Sequence, residues 1–281
     1  MDGSVLGMSR AQTPQERRAA ASEAARVMRQ QQQAAARRRR VLGLSVVGVA
    51  VVALIAVAAF VLIRHAQETS FDDIPLAEIE IVPTGALEDG GIPVSAAGVG
   101  VLDESVPRVD VYQDFICPGC ASFESLNKAM LDELAESGAA TVVYHPLATL
   151  DGMSMNTQYS TRAASAVALV ADQEPASYLA FTESLFANQP AENSKGLTDA
   201  EIASIARNVG VSDGLADDIE AGIARTTYGQ WVYSATQLVV STSSLASPDY
   251  GGFVTPTVAI NGERYSGDYS TETLREAILA G

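Results

Sequence analysis

The pattern of apolar and polar positions divides the 281-residue chain into stretches of different character. Val41 to Ile63 reads VLGLSVVGVAVVALIAVAAFVLI, twenty-three residues without a charge. At 1.5 Å rise per residue that run is long enough to cross a ~30 Å hydrocarbon core as one helix. A cleaved secretory leader carries an apolar region of only about 7–15 residues behind a short charged head, so the pattern predicts an uncleaved anchor. Residues 64–96 are acidic, contain Pro and Gly and keep no clear period, which predicts a spacer with a short first strand near its end. Period-2 and β-branched character then appear in Arg108 to Ile116 (RVDVYQDFI), read as a strand that stops at Cys117. A helix follows, with Phe123, Leu126, Met130 and Leu134 at spacings of three and four and Gly138 as its stop. Ala140 to Pro146 (ATVVYHP) is the next strand, and strand, helix and parallel strand make a βαβ unit.

From about 155 to 241 only helical periods occur, as in Tyr178, Phe181, Leu185 and Ile202, Ile205, Val209. Thr198 and Glu201 predict a capping box, Gly210 closes that helix, and the longest pattern runs from Leu215 through Leu238 with the sole tryptophan, Trp231. Helical spacing assigns Tyr178, Phe181 and Trp231 to ordinary core rather than to a peptide groove. Phe253 to Arg264 (FVTPTVAINGER) reads as a hairpin turning at Asn261-Gly262, and Thr271 to Leu279 as a last helix. The order β-α-β, helical block, β-β-α predicts an α/β domain over 97–281, its one sheet split by a helical insertion at about 155–241.

Charge places these parts. Residues 1–40 hold nine arginines against three acids, +6, whereas 66–281 hold eight basic and thirty-one acidic residues, −23; with Arg64 these give the net −16. Arg37 to Arg40 directly precede the apolar run and only Arg64 and His65 directly follow it. The positive-inside rule therefore keeps 1–40 cytoplasmic and puts the acidic domain outside the cell membrane. A domain so acidic repels phosphate backbones, which argues against nucleic acid as its partner. The basic leader could also serve as an arm for nucleic acid or anionic lipid, but its arginines crowd against the span, as a topology signal requires.

The chain has two cysteines, in Cys117-Pro118-Gly119-Cys120 at the strand–helix junction. A first-turn cysteine meets unpaired backbone N–H groups and the positive end of the helix dipole, both of which favour thiolate, so Cys117 is the candidate nucleophile. Pro118 suits an early helical position, and Cys120, one turn on, is placed to resolve a mixed disulfide at Cys117. A static disulfide closing so small a loop would stabilise little, and zinc wants about four ligands where the chain adds only His65 and His145. Redox chemistry is the reading taken, with no metal and no cofactor. Alternation puts Asp110, Tyr112 and Asp114 on one strand face; either acid could assist proton transfer, but solvent exposure is the simpler expectation. His145, before a proline in a strand, reads as a packed or surface residue.

The strand ending DFICPGC, the helical insertion and the later VTPTVAING together resemble the DsbA-like branch of the thioredoxin superfamily, over about residues 97–281. The resemblance implies a thioredoxin fold with an inserted helical subdomain and a proline with a preceding cis peptide bond opposite the dithiol, the place of Pro256. Thr255 would then offer its backbone to a substrate segment, as in strand addition, and its hydroxyl would tune the thiolate. Two departures stand out. Gly119 occupies the place where strongly oxidising members have histidine, and Val111 the place of a family acid six residues before the first cysteine. The implied activity is thiol–disulfide exchange with cysteine-containing secreted or membrane proteins, as an oxidase, with a membrane redox partner, by resemblance a quinone-linked oxidase, to reoxidise the dithiol. The same residues leave a reductase or isomerase open. From other classes, a copper chaperone would use Cys117, Cys120 and His145, and a tethered scaffold would carry an incidental dithiol.

Overall fold

The computed structural model describes residues 70–281, together with five isolated helical positions at 26, 28, 54, 55 and 57. The basic segment 1–40 and the span 41–63 otherwise lie outside the described residues, and among the described residues no helix is long and apolar enough to cross a membrane. Phe71–Gly281 forms one compact unit.

Its centre is a six-stranded mixed sheet. In chain order the strands are β1 (Ile92–Ser95), β2 (Gly98–Val99), β3 (Arg108–Asp114), β4 (Thr141–Leu147), β5 (Thr257–Ile260) and β6 (Glu263–Arg264), arranged β2-β1-β4-β3-β5-β6. β3 and β4 run parallel with Val109 opposite Val142 and Val111 opposite Tyr144, while β5 pairs antiparallel with β3. Helix α1 (Pro118–Glu136) links β3 to β4, so the βαβ unit stands where it was expected. Its buried face is not the one the apolar spacing suggests: Leu126 is 56 % exposed, whereas Asn127 is buried and donates from Nδ2 to the Tyr269 carbonyl at 3.0 Å.

The insertion consists of α2 (Tyr159–Gln173), α3 (Tyr178–Ala187), α4 (Asp199–Asn208), α5 (Asp213–Glu220) and α6 (Ile223–Ser241); α7 (Thr271–Ala280) closes the unit. Tyr178, Phe181 and Trp231 are fully buried core, and the Thr198–Glu201 capping box opens α4. The long Leu215–Leu238 pattern is two helices, because Gly222 adopts φ +77 between α5 and α6. Both α2 and α6 lie against β4, which ties the insertion to the middle of the sheet. The Asn261-Gly262 turn has φ of 51 and 85, the left-handed pair that a two-residue hairpin matching strand twist requires.

The expected spacer ends earlier than its composition suggests. The Phe71 ring lies tilted against Tyr233 with centroids 5.8 Å apart, Asp72 N–H donates to Gln230, Ser234 donates to the Ile74 carbonyl, Leu76 is buried and Thr84 N–H is held by Asp172. Residues 71–91 are therefore packed on α2 and α6, an anchoring that aperiodic sequence does not advertise.

Candidate active site

At the C-terminal end of β3 the chain turns into α1 with Cys117 as its N-cap residue (φ −76, ψ 114) and Pro118 in the first turn. β3 itself stops at Asp114, and Pro118, whose missing N–H is not needed in the first turn and whose fixed φ suits a helix, opens α1. Both cysteines are free and buried, Cys117 at 6 % and Cys120 at 1 % exposure. Opposite them the Thr255–Pro256 peptide bond is cis. Cys117 as a thiol donates to the Thr255 carbonyl at 3.2 Å. A Cβ at Gly119 would stand 3.1 Å from Pro256 Cδ and 3.7 Å from Cys117 Sγ, so glycine lets the two chain segments approach.

The two sulfurs are not equivalent. Cys117 is lowered to about 6: the Cys120 thiol donates to it, as do the Thr255 hydroxyl and the N–H groups of Cys120 and Gly119, and together they overcome the opposing effect of burial. Cys120 is raised well above the ordinary thiol range by burial first and then by the neighbouring Cys117 sulfur. Cys117 is therefore the thiolate and Cys120 the proton-bearing partner. The carbonyl of Cys117 accepts from Gln189 Nε2 at 2.9 Å, and Phe115 stacks on Phe186 at 4.8 Å, so the insertion steadies the strand–helix junction from the side.

The acids of β3 differ from expectation. Asp114 is completely buried; its carboxylate accepts from Ile116 N–H (3.1 Å), Ser160 (2.7 Å), Leu150 N–H (2.9 Å) and Thr149 (3.2 Å), while its own N–H donates to Cys120 Sγ at 3.5 Å. Burial pushes it up to about 6 despite those bonds. Asp110, 2 % exposed, is held by Arg108 and by His145 Nε2 at 2.8 Å, and His145 stacks on Tyr112 at 4.1 Å. Solvation of the pair is thus overturned, because β3 is covered on both faces and alternation does not give it a wet side. Sequence reasoning also passed over Glu124, buried one turn beyond Cys120 and pushed up to about 7 chiefly by desolvation.

Among the described residues the one group of His, Cys, Asp or Glu close enough to hold a metal ion is Asp89, Asp110 and His145, and it contains neither cysteine. The copper set Cys117, Cys120 and His145 is not brought together. Arg108 binds both Asp89 and Asp110, so that cluster already has an internal cation.

Comparison with known proteins agrees with this geometry. A family model described as thioredoxin matches residues 103–280. DsbA from Mycobacterium tuberculosis in its reduced form is 28 % identical, with 68 % of this chain and 93 % of that one covered and a TM-score of 0.52. The reduced disulfide bond oxidoreductase DsbG of the same organism is 28 % identical over 70 % of this chain and 90 % of that one, at 0.54. MdbA, a thiol–disulfide oxidoreductase of Actinomyces oris, shares the fold at 22 % identity and 0.57, covering 76 % of this chain and 98 % of its own. The serine/threonine-protein kinase PknE of M. tuberculosis matches at 32 % identity over 156 residues; this chain spans 28 % of that relative's length.

Proposed function

Because the chain belongs to the thioredoxin family, and its solved neighbours include DsbA-type thiol–disulfide oxidoreductases, we propose that it exchanges disulfides with protein substrates through Cys117 and Cys120, working as an oxidase. The observation that carries the reading is the lowering of Cys117 to about 6 beside a buried Cys120. A thiolate stabilised at neutral pH stabilises the reduced form, and a stabilised reduced form makes the disulfide a stronger oxidant.

The reaction begins with the Cys117–Cys120 disulfide. A substrate thiolate attacks Cys117 Sγ, forming a mixed disulfide and releasing Cys120, which takes up a proton. A second substrate thiolate attacks the substrate sulfur of that bond, and Cys117 departs as thiolate. Two electrons pass from the substrate dithiol to the protein pair; of the two protons the substrate gives up, one ends on Cys120 and the other goes to solvent while Cys117 remains a thiolate. Cys117 is the sulfur that carries the substrate because it is the better leaving thiolate. Thr255, its carbonyl 3.2 Å from Cys117, would pair with the substrate backbone. The chain's cysteines number two, so reoxidation draws on an outside acceptor, proposed to be a membrane redox partner. The uncharged run 41–63 and its flanking arginines support a single-pass anchor with this domain outside the cell.

Replacing Cys120 with alanine leaves Cys117 without a resolving thiol, so Cys120→Ala in cells should accumulate mixed disulfides with exported proteins. A normally expressed variant without adducts would sink the exchange reading. The redox state of the native pair tests direction: an oxidase is recovered mostly as disulfide, a reductase mostly as dithiol.

A further inference from the structure

A groove of about 650 Å³ opens beside the dithiol, with Gly119 and Pro256 at one end and Tyr250, Tyr265, Tyr269 and Arg264 along it. We propose that Arg264 makes this groove a carboxylate-reading subsite, so that substrates bearing an aspartate or glutamate beside their reactive cysteines are preferred. The inference rests on the exchange reading above and names the substrate class for it.

Six arginines lie between residues 71 and 281. Arg108, Arg162, Arg207 and Arg275 each bind a carboxylate, and Arg225 bonds Gln158 at 2.7 Å. The Arg264 side chain, on a residue whose backbone pairs with Ala259, has no ion-pair or hydrogen-bond partner among the described residues, and its Nε is buried without one. In a region of balance −23, a guanidinium left unpaired is the exception. A part-buried guanidinium is costly to leave unsatisfied, and a carboxylate satisfies it in a bidentate fork that lysine cannot reproduce.

Position makes the unpaired charge relevant to the reaction. Arg264 lies on β6, the edge strand next to β5, whose preceding residues Thr255 and Pro256 face Cys117. Tyr269 lies within electrostatic reach of both Arg264 and Cys120, stacks on Tyr265 at 6.0 Å and meets Phe123 edge-on at 5.4 Å. A segment paired along Thr255 would thus pass over tyrosine rings that take apolar side chains, with one cation available. The one acid lining the groove, Asp249, is exposed on its lip.

The test uses the full chain in its disulfide form and peptides with a cysteine pair, flanked on either side by glutamate, glutamine or lysine. The expected order of kcat/KM for peptide oxidation is glutamate, then glutamine, then lysine, with a first ratio of about tenfold at low salt that shrinks as salt rises. Arg264→Gln brings that ratio to about one, Arg264→Lys keeps part of it and Arg264→Glu inverts the order. Arg275→Gln, which removes an equal charge from α7, leaves the preference in place. A ratio near one in the unsubstituted chain, or one that survives Arg264→Gln, overturns the subsite while exchange stands. Failure to oxidise any of the three peptides overturns exchange itself, and the subsite with it.

Discussion

Cys117 and Cys120 share the first turn of α1, yet their sulfurs differ because Cys117 collects a thiol, a hydroxyl and two backbone N–H groups, whereas the more deeply buried Cys120 has only the Asp114 N–H at 3.5 Å. The sign follows. A thiol whose folded pKa is depressed adds stability above the ordinary thiol range, and that contribution is lost as pH falls through about 6. In the reduced protein, alkylation of Cys117 should therefore rise through pH 6 and flatten by neutrality. Cys120→Ala removes the largest stabilising donor, so its alkylation midpoint should move upward toward about 8.5, the free-thiol value. A midpoint unmoved in the variant would show that the Thr255 hydroxyl and the backbone N–H groups set the thiolate without the Cys120 thiol. At this scale the two sulfurs and Pro256 are legible in sequence, since two cysteines at x-x spacing and a proline in a strand-like run are each chemically unusual. Asp114 is not, because nothing in RVDVYQD says that Ser160 and the 149–150 loop will fold over it from the insertion.

Elements carry the site by what they hold still. β3 delivers Cys117 just past its C-terminal end, where the helix begins, and the segment entering β5 brings Thr255 across from it, while α3 reaches in through Phe186 and Gln189 follows it onto the Cys117 carbonyl. The capping box of α4 lies in the insertion: Thr198 Oγ1 accepts from Glu201 N–H at 3.2 Å and Glu201 accepts from Thr198 N–H at 2.7 Å. Thr198→Ala should cost about 1 kcal/mol in denaturant unfolding while the Cys117 alkylation profile stays in place, which separates insertion stability from thiol chemistry. Coincident loss of both would mean that the helical block tunes the sulfur directly. The capping box and the Asn-Gly hairpin are readable from sequence because both are local. The break at Gly222 and the outward turn of Leu126 are not, since an apolar period continues through each and only tertiary packing decides which face is covered.

For the whole molecule the governing contrast is between an arginine-rich leader and a domain of balance −23, separated by an uncharged run. The orientation proposed from this contrast rests on charge counted near a span rather than on packing, and the span lies outside the described residues. Sequence speaks less clearly about where the domain begins: residues 71–91 look like a spacer by composition, yet Phe71, Leu76 and Ser234's bond to Ile74 seat them on the folded unit. On the proposed topology, residues 65–70 are what separates Arg64 from the packed domain in sequence. The expected behaviour is resistance to alkaline carbonate extraction, together with removal of the acidic domain by protease added outside cells whose cytoplasmic proteins stay intact. Moving Arg37–Arg40 to the far side of the run should weaken or reverse that orientation. Extraction of the unsubstituted chain by carbonate, or protection of the domain from outside protease, would refute the anchor and with it the route by which this dithiol meets exported proteins.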